Sequence, residues 1–280
     1  INANKHVFTE KPVAVDVTGI RKCMELIKVS KEKKLAVVAG TQRRHQTGYL
    51  ETMKHIQGGA IGEIVGGRCY WNGNGIWFRD RKPGQKDAEY QINNWYHFLW
   101  LCGDHIAEQH VHNLDVINWA LGAHPIKASG MGGRSNRKVG DAKDVGHIFD
   151  HFGLEYVWPG AKGEHGDYGD VFALSMCRQQ DGTDGKVEEI VSGTLGVASM
   201  RPGFASISGP KAWTYQGENP NPYVEEHKFL HAAIRAGKHV NAAVSVAEST
   251  LTAIMGRMAA YTGKDVTWEQ ALNSQERLMP

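Results

Sequence analysis

The densest set of residues able to do chemistry is GDHIAEQHVHNLD, residues 103–115. Placed on a helix at about 100° per residue, Glu108, His112 and Asp115 fall within roughly 60° of one another, with Leu114, Ile117 and Leu121 on the opposite side. A carboxylate one turn before a histidine can accept its ring N–H and fix the tautomer. The other nitrogen is then free to act as a general base near neutral pH. The same residues also suit a solvated helix face capped by Asp104. Imidazole and carboxylate at this spacing fit zinc or manganese too, but there is no HExxH and no fourth ligand, so no metal is assigned. His110 projects toward the apolar side: it is either a core histidine or, if the helix starts later, a residue lining the pocket.

A second candidate lies near the start, in KHVFTEKP, residues 5–12. The β-prone run His6–Thr9 ends at Glu10-Lys11-Pro12, and a helical pattern follows. Lys11 would project from the carboxyl end of a parallel strand, where α/β sheets bind ligands. There it can hold a hydroxyl or a cofactor ribose by charge-assisted hydrogen bonds. Gln42-Arg43-Arg44-His45 follows the next buried run and reaches the same edge, unless it is only a basic surface turn. Trp71, Trp77, Trp95, Tyr96 and Trp100 suit either a core or a sugar-stacking platform.

The elements needed to position these residues can be read in order. Residues 15–34 carry apolar positions at three- and four-residue steps and form a helix, with Asp16 or Thr18 as its cap. Leu35 to Gly40 is continuously apolar and suits a strand buried on both faces. Residues 6–40 are therefore a βαβ unit. A helix over 49–57 and a strand over 63–71 follow, then a polar, aromatic-studded loop over 72–94. A helix over 103–121 closes at Gly122. Strand runs near 147–158, 170–180, 186–195 and 204–208, separated in places by glycine-containing turns, favour antiparallel pairing. Helices over 223–236 and 244–262 come next, and Thr267–Gln270 has capping-box spacing before a last short helix. The fold class is α/β plus α+β.

Composition narrows the partners. Net charge is +2, with 41% apolar and 22% charged residues, so neither a nucleic-acid groove nor an anionic membrane surface is indicated. No apolar run approaches the ~20 residues of a membrane-spanning helix. The widely spaced Cys23, Cys69, Cys102 and Cys177 form neither a zinc ribbon nor a disulfide framework.

Together these pieces resemble the glucose–fructose oxidoreductase / inositol dehydrogenase / rhizopine-catabolism (Gfo/Idh/MocA) family over nearly the whole chain. The resemblance is carried by AxKHVFxEKP, by Gln42-Arg43-Arg44, by GGAIGEI at 58–64 and by the 108–115 cluster. NPYVEEHKFLHAAIRAGK and AESTLTAIMGRMAAYTGK extend it to the C-terminal part. It implies a Rossmann domain binding NAD or NADP, followed by a substrate domain on an open, mostly antiparallel sheet. Residues 1–45 then correspond to the C-terminal portion of the nucleotide domain. Residues 46–280 correspond to the substrate and oligomerisation domain, with the last helices packing back. By position, Lys11 matches the family's EKP lysine, and Glu108, His112 and Asp115 match its acid, histidine and last acid. Lys11, Glu108 and His112 are thus the implied catalytic set. His110, Asp115, Arg44 and Trp95 are assigned to substrate, and Glu10, Lys11, Pro12 and Arg43 to cofactor. Two positions depart from the pattern: Glu108 replaces the usual Asp, and His110 stands where glycine is usual.

The family's G-x-G-x-x-G phosphate turn does not occur in this sequence, and only ten positions precede Lys11. Because the chain also starts at Ile1, the resemblance implies that the first strands of the nucleotide domain belong to a preceding segment. On that expectation the 280-residue chain binds dinucleotide poorly and has an uncovered sheet edge beside residues 15–40. The compartment stays open: cytoplasmic by default, periplasmic if an export signal precedes. The expected activity is hydride transfer between a nicotinamide and a hydroxyl of a sugar, polyol or related compound, by a homo-oligomer. The alternatives are a redox-cycling glycosidase or lyase with tightly held NAD, and a non-catalytic binding or dimerisation module.

Overall fold

The computed structural model describes residues 1–160, 162–163, 166–167 and 169–278. Strand β1 (Val7–Thr9), helix α1 (Val17–Glu32) and strand β2 (Val37–Ala39) form the expected βαβ unit, with β1 and β2 parallel and Val7 opposite Val37. Asp16 caps α1, its carboxylate accepting from the Gly19 N–H at 2.9 Å. Val17, Ile20 and Ile27 supply the buried face of α1, and β2 is buried throughout. The second edge of β2 is not left open. The Val37 N–H donates to Val240 O at 2.8 Å, and the Ala242 N–H donates to Val37 O at 2.9 Å. Residues 240–242 thereby cover the second edge of β2, whereas among the described residues β1 pairs with β2 alone and its other edge has no strand partner.

The rest of the molecule is built on a nine-stranded sheet. Its strands are β3 (Ile64–Gly73), β4 (Lys127–Gly133), β5 (His151–Trp158), β6 (Val171–Gln179), β7 (Lys186–Gly193), β8 (Val197–Arg201), β9 (Phe204–Ser208), β10 (Trp213–Thr214) and β11 (Val266–Thr267). The spatial order is β10-β9-β8-β7-β3-β6-β5-β4-β11, and every neighbouring pair is antiparallel except β3–β6. Alternation along β6 shows how the sheet divides its faces. Ala173, Ser175 and Cys177 point inward, while Phe172, Leu174 and Met176 remain exposed on the open face. The inner face packs against α2 (Thr47–Gln57), α4 (Val111–Leu121) and α6 (Ala243–Thr262). Among the described residues no helix is long and apolar enough to cross a membrane.

Several stretches differ from the sequence reading. Residues 72–94 are not all loop: β3 runs to Gly73, and α3 (Asp87–Asn93) forms within the stretch. Strand β4 was hidden by its glycines. Gly130 has φ +150° and lies so close to β5 that a Cβ would stand 2.3 Å from the Gly153 carbonyl oxygen, so glycine here serves close strand packing. Strand β8 was also missed; it pairs with β7 and β9 across short turns.

The C-terminal helices, α5 (Pro222–Arg235), α6 and α7 (Trp268–Leu272), join the two parts of the molecule. Leu230 of α5 packs with Ala36 and Val38 around β2. Arg257 of α6, 1% exposed, donates to Val15 O at 2.8 Å and to Gly103 O at 3.0 Å. One buried guanidinium therefore ties the segment after Glu10-Lys11-Pro12 to the segment before Glu108. Thr267 and Gln270 make the expected capping box at the start of α7.

Candidate active site

The backbone ahead of α4 is irregular, and that irregularity aims the site. Gly103 and Asp104 both lie in the left-handed region, with φ of +75° and +77°, a conformation costly for a residue other than glycine. The buried Asp104 carboxylate holds this bend. It accepts from the His105 N–H at 2.5 Å, from the Phe149 N–H at 3.0 Å and from the Tyr261 hydroxyl. Residues Ile106–His110 then form a π-helical turn before α4 begins at Val111. Turns of this kind insert a residue and rotate the side chains before them.

The Glu108 carboxylate consequently turns to Lys11 and not to His112. Lys11 Nζ donates to Glu108 Oε1 at 3.0 Å and also to the Glu108 backbone carbonyl, and both side chains are 11% exposed. The expected Glu108–His112 hydrogen bond, derived from an unbroken helix, does not form. Glu108 Oε2 and His112 Nδ1 are buried without partners among the described residues. The Lys11–Pro12 peptide is cis.

His112 is 5% exposed, and its ring stacks with Trp71 at 5.9 Å between centroids and 28° between planes. Burial first, then the positive charges of Lys11 and Arg43, holds its pKa well below the usual histidine value. The ring is therefore neutral near pH 7 and able to accept a proton. Tyr96 lies near Glu108. Its hydroxyl contacts His105 Nδ1 at 3.2 Å and accepts from Gln179 Nε2 at 2.9 Å. Burial, and then the Glu108 charge, raises its pKa well above the ordinary phenol value.

The remaining sequence candidates are distributed differently from expectation. Asp115 is 1% exposed and already engaged. Arg44 donates to both carboxylate oxygens at 2.8 and 3.0 Å, and Ser249 Oγ donates at 2.7 Å. Arg44 also lies over the Trp119 ring at 5.0 Å. Arg43, assigned to cofactor by the sequence, is 2% exposed and turned into the sheet domain, where it pairs with Glu189. His110, assigned to substrate, is a core histidine: its Nε2 meets Ser175 Oγ at 2.7 Å, and its Nδ1 lies 3.2 Å from Asn113 Oδ1. Burial lowers its pKa to about 3. Trp95 is 38% exposed and tilted against Trp77. Among the described residues no hydrogen bond, ion pair or ring contact joins it to Lys11, Glu108 or His112. Glu10 sits at the mouth of the βαβ unit, where a Cβ on Gly40 would stand 2.2 Å from its Oε2.

Sequence reasoning did not single out Glu189, and it placed Trp71 only within a general aromatic set. Trp71 sits near the end of an expected strand, two residues beyond the buried Cys69, which puts it on the inner face by simple alternation. Glu189 gave no signal, because adjacent glutamates in a strand read as a solvated edge.

A mixed α/β molecule with an open, mostly antiparallel sheet carries this lysine–glutamate–histidine cluster, and comparison with known proteins shows what it is similar to. No protein-family model matches the chain. An inositol 2-dehydrogenase/D-chiro-inositol 3-dehydrogenase of Halalkalibacterium halodurans is 40% identical over 122 residues, 43% of this chain and 28% of that protein. A 2,7-anhydro-N-acetylneuraminate hydratase of Escherichia coli (strain K12) is 30% identical over 129 residues, 46% of this chain and 30% of that protein. The matched stretches thus span about a third of these curated relatives' own length. Among solved structures, a levoglucosan dehydrogenase in complex with NADH and levoglucosan superposes with a TM-score of 0.73 at 15% identity, over 96% of this chain and 75% of that one. A scyllo-inositol dehydrogenase of Lactobacillus casei does so with a TM-score of 0.66 at 18% identity, over 96% and 74%. Over less than half of its length the chain is similar in sequence to inositol 2-dehydrogenases, and over nearly all of it the chain has the fold of these solved oxidoreductases.

Proposed function

We propose that the chain supplies the substrate side and part of the nucleotide side of an NAD(P)-dependent oxidoreductase. The reaction is hydride transfer between a nicotinamide and a hydroxyl-bearing carbon of a sugar, polyol or related compound. One observation carries this reading: Lys11, delivered by the end of a parallel strand, is paired with Glu108 beside a histidine kept neutral by its surroundings. In this reading residues 1–45 form the nucleotide side, and residues 46–280 form the substrate and oligomerisation side.

The residues present suit the nicotinamide end of the cofactor. Glu10, Lys11 and Pro12 stand at the carboxyl end of β1, beside the side-chain-free Gly40 at the end of β2, where open α/β sheets bind ligands. Arg43 is withdrawn from that role by its burial. When bound, the cofactor accepts or returns the hydride. His112 takes the hydroxyl proton as the carbinol carbon becomes a carbonyl. Lys11 donates to the oxygen and stabilises its developing negative charge. Glu108 acts on Lys11, balancing its charge and fixing its ammonium, and does not act on His112. Asp115 and Arg44 brace the helix that carries His112.

A second reading is favoured by the hydratase relative: the same site oxidises a sugar transiently, adds or removes a group, and reduces it again. His110, which stands where glycine is usual, is buried in the core and contributes nothing to this second reading. Nicotinamide absorbance in a turnover assay of the native protein with inositols and anhydro-sugars separates the two. A dehydrogenase accumulates reduced cofactor in step with product; a redox-cycling enzyme consumes substrate at constant absorbance. We further propose a homo-oligomer paired through the open sheet face, where Met131, Phe172, Leu174 and Met176 are exposed.

A further inference from the structure

Neither ring nitrogen of His112 has a hydrogen-bond partner among the described residues; its described side-chain contact is the stack on Trp71. A general base held by packing alone depends on whatever fixes the packing partner. Trp71 lies under the Arg43 guanidinium, 5.6 Å from the ring centroid. Arg43 is in turn paired with Glu189, a carboxylate with 0% exposure on the inner face of β7.

Glu189 is fully engaged. Besides Arg43, its Oε1 accepts from Asn113 Nδ2 at 2.5 Å, and its Oε2 accepts from the Tyr49 hydroxyl at 2.8 Å. Asn113 is the chain neighbour of His112. Its amide also donates to Tyr70 O at 2.9 Å, which ties α4 to the residue before Trp71. One buried carboxylate thus grips both supports of the imidazole: the helix position beside it, through Asn113, and the indole against it, through Arg43. A buried ion pair in a sheet core contributes little to stability compared with apolar packing of the same volume, so fold stability alone does not account for it.

We infer that Glu189 is a positioning residue for His112, acting through Arg43 and Trp71 on one side and Asn113 on the other. The inference rests on the proposed role of His112 only for its catalytic consequence; the alignment of the ring is a separate, directly measurable property.

The test follows the His112 ring by NMR in histidine-labelled native protein, with the signal assigned through His112→Asn. Stacking on Trp71 displaces this signal by ring current, and Trp71→Leu reports its unstacked position. At about pH 8, where the Glu189 carboxylate is ionised, Glu189→Gln keeps the shape and removes the charge that holds Arg43. The expected result is a His112 signal moved toward the unstacked position, with kcat lowered roughly 10- to 100-fold and KM within about twofold. A folded Glu189→Gln protein with an unmoved His112 signal overturns the inference, whatever the turnover. If Glu189→Gln does not fold, Tyr49→Phe removes a single hydrogen bond to the same carboxylate. It should move the signal in the same direction by less, and no movement there is equally decisive. If the wild-type protein turns over no hydroxylated substrate while the signal moves as expected, the oxidoreductase reading fails and the positioning inference stands.

Discussion

Lys11 and Glu108 are 97 residues apart in the chain, yet Lys11 Nζ lies 3.0 Å from Glu108 Oε1. The contact joins the end of β1 to the π-helical turn ahead of α4, so it depends on the βαβ unit and the sheet domain being correctly docked. Arg257 braces the same junction from behind.

The pair is mostly buried, so removing one partner leaves the other charge stranded. Lys11→Met should therefore cost about 3 kcal/mol of stability and lower turnover by roughly 100-fold or more. Lys11→Met combined with Glu108→Leu should recover most of the stability and none of the turnover. Thermal unfolding and steady-state rates on both proteins check this; recovery of turnover in the double variant would remove Lys11 from the chemistry.

Asp115 has both oxygens occupied by Arg44 and Ser249. Asp115→Ala should then destabilise the protein by about 3 kcal/mol through the unpaired Arg44, and Ser249→Ala by about 1 kcal/mol. Chemical denaturation measures both. A rise in KM without loss of stability would show instead that Asp115 is a direct substrate ligand.

Glu189 makes stability depend on pH. Burial, opposed by Arg43, Tyr49 and Asn113, raises its pKa from 4.5 to about 7. Between those values the folded protein holds a proton that the unfolded chain has lost. The stability Glu189 contributes is therefore full below about 4.5 and is lost as pH rises through about 7. His97 and His110, lowered by burial to about 4 and about 3, act in the opposite sense. Their contribution is full above about 6.5 and is lost as pH falls. The Glu189 effect is isolated by difference. The stability of wild type minus that of Glu189→Gln should fall by about 1–3 kcal/mol between about pH 5 and about pH 8, measured by urea denaturation. A difference that stays flat would mean that Glu189 is ionised throughout.

The open face of the sheet carries Phe172, Leu174 and Met176 at 51%, 44% and 38% exposure, a row one strand long that water meets directly. Leu174→Arg should convert a homo-oligomer to a smaller species with its melting temperature little changed, as read by sedimentation. An unaltered oligomer would place the contact elsewhere.

What the sequence revealed divides along physical lines. The βαβ unit, the helix over 243–262 and the capping box at Thr267 were legible because each rests on local periodicity or capping chemistry. Lys11 was legible because its place at the end of a strand is also local. The partner of Glu108 was not. A helical projection assumes constant rotation per residue, and the left-handed Asp104 and the π turn after it break that assumption through contacts with Phe149 and Tyr261 far along the chain. Arg43 and Arg44 are neighbours with the same charge, yet they enter different networks because Glu189 and Asp115 approach from separate elements. Only tertiary structure distinguishes them.

In the proposed reaction His112 is the base for proton removal from a substrate hydroxyl. The most direct measurement compares wild type and His112→Ala in the native protein, following kcat by nicotinamide absorbance and substrate affinity by calorimetry with the cofactor bound. The expected result is a loss in kcat of about 100-fold or more with affinity within a few-fold. Unchanged kcat, or equal losses in turnover and affinity, would contradict it.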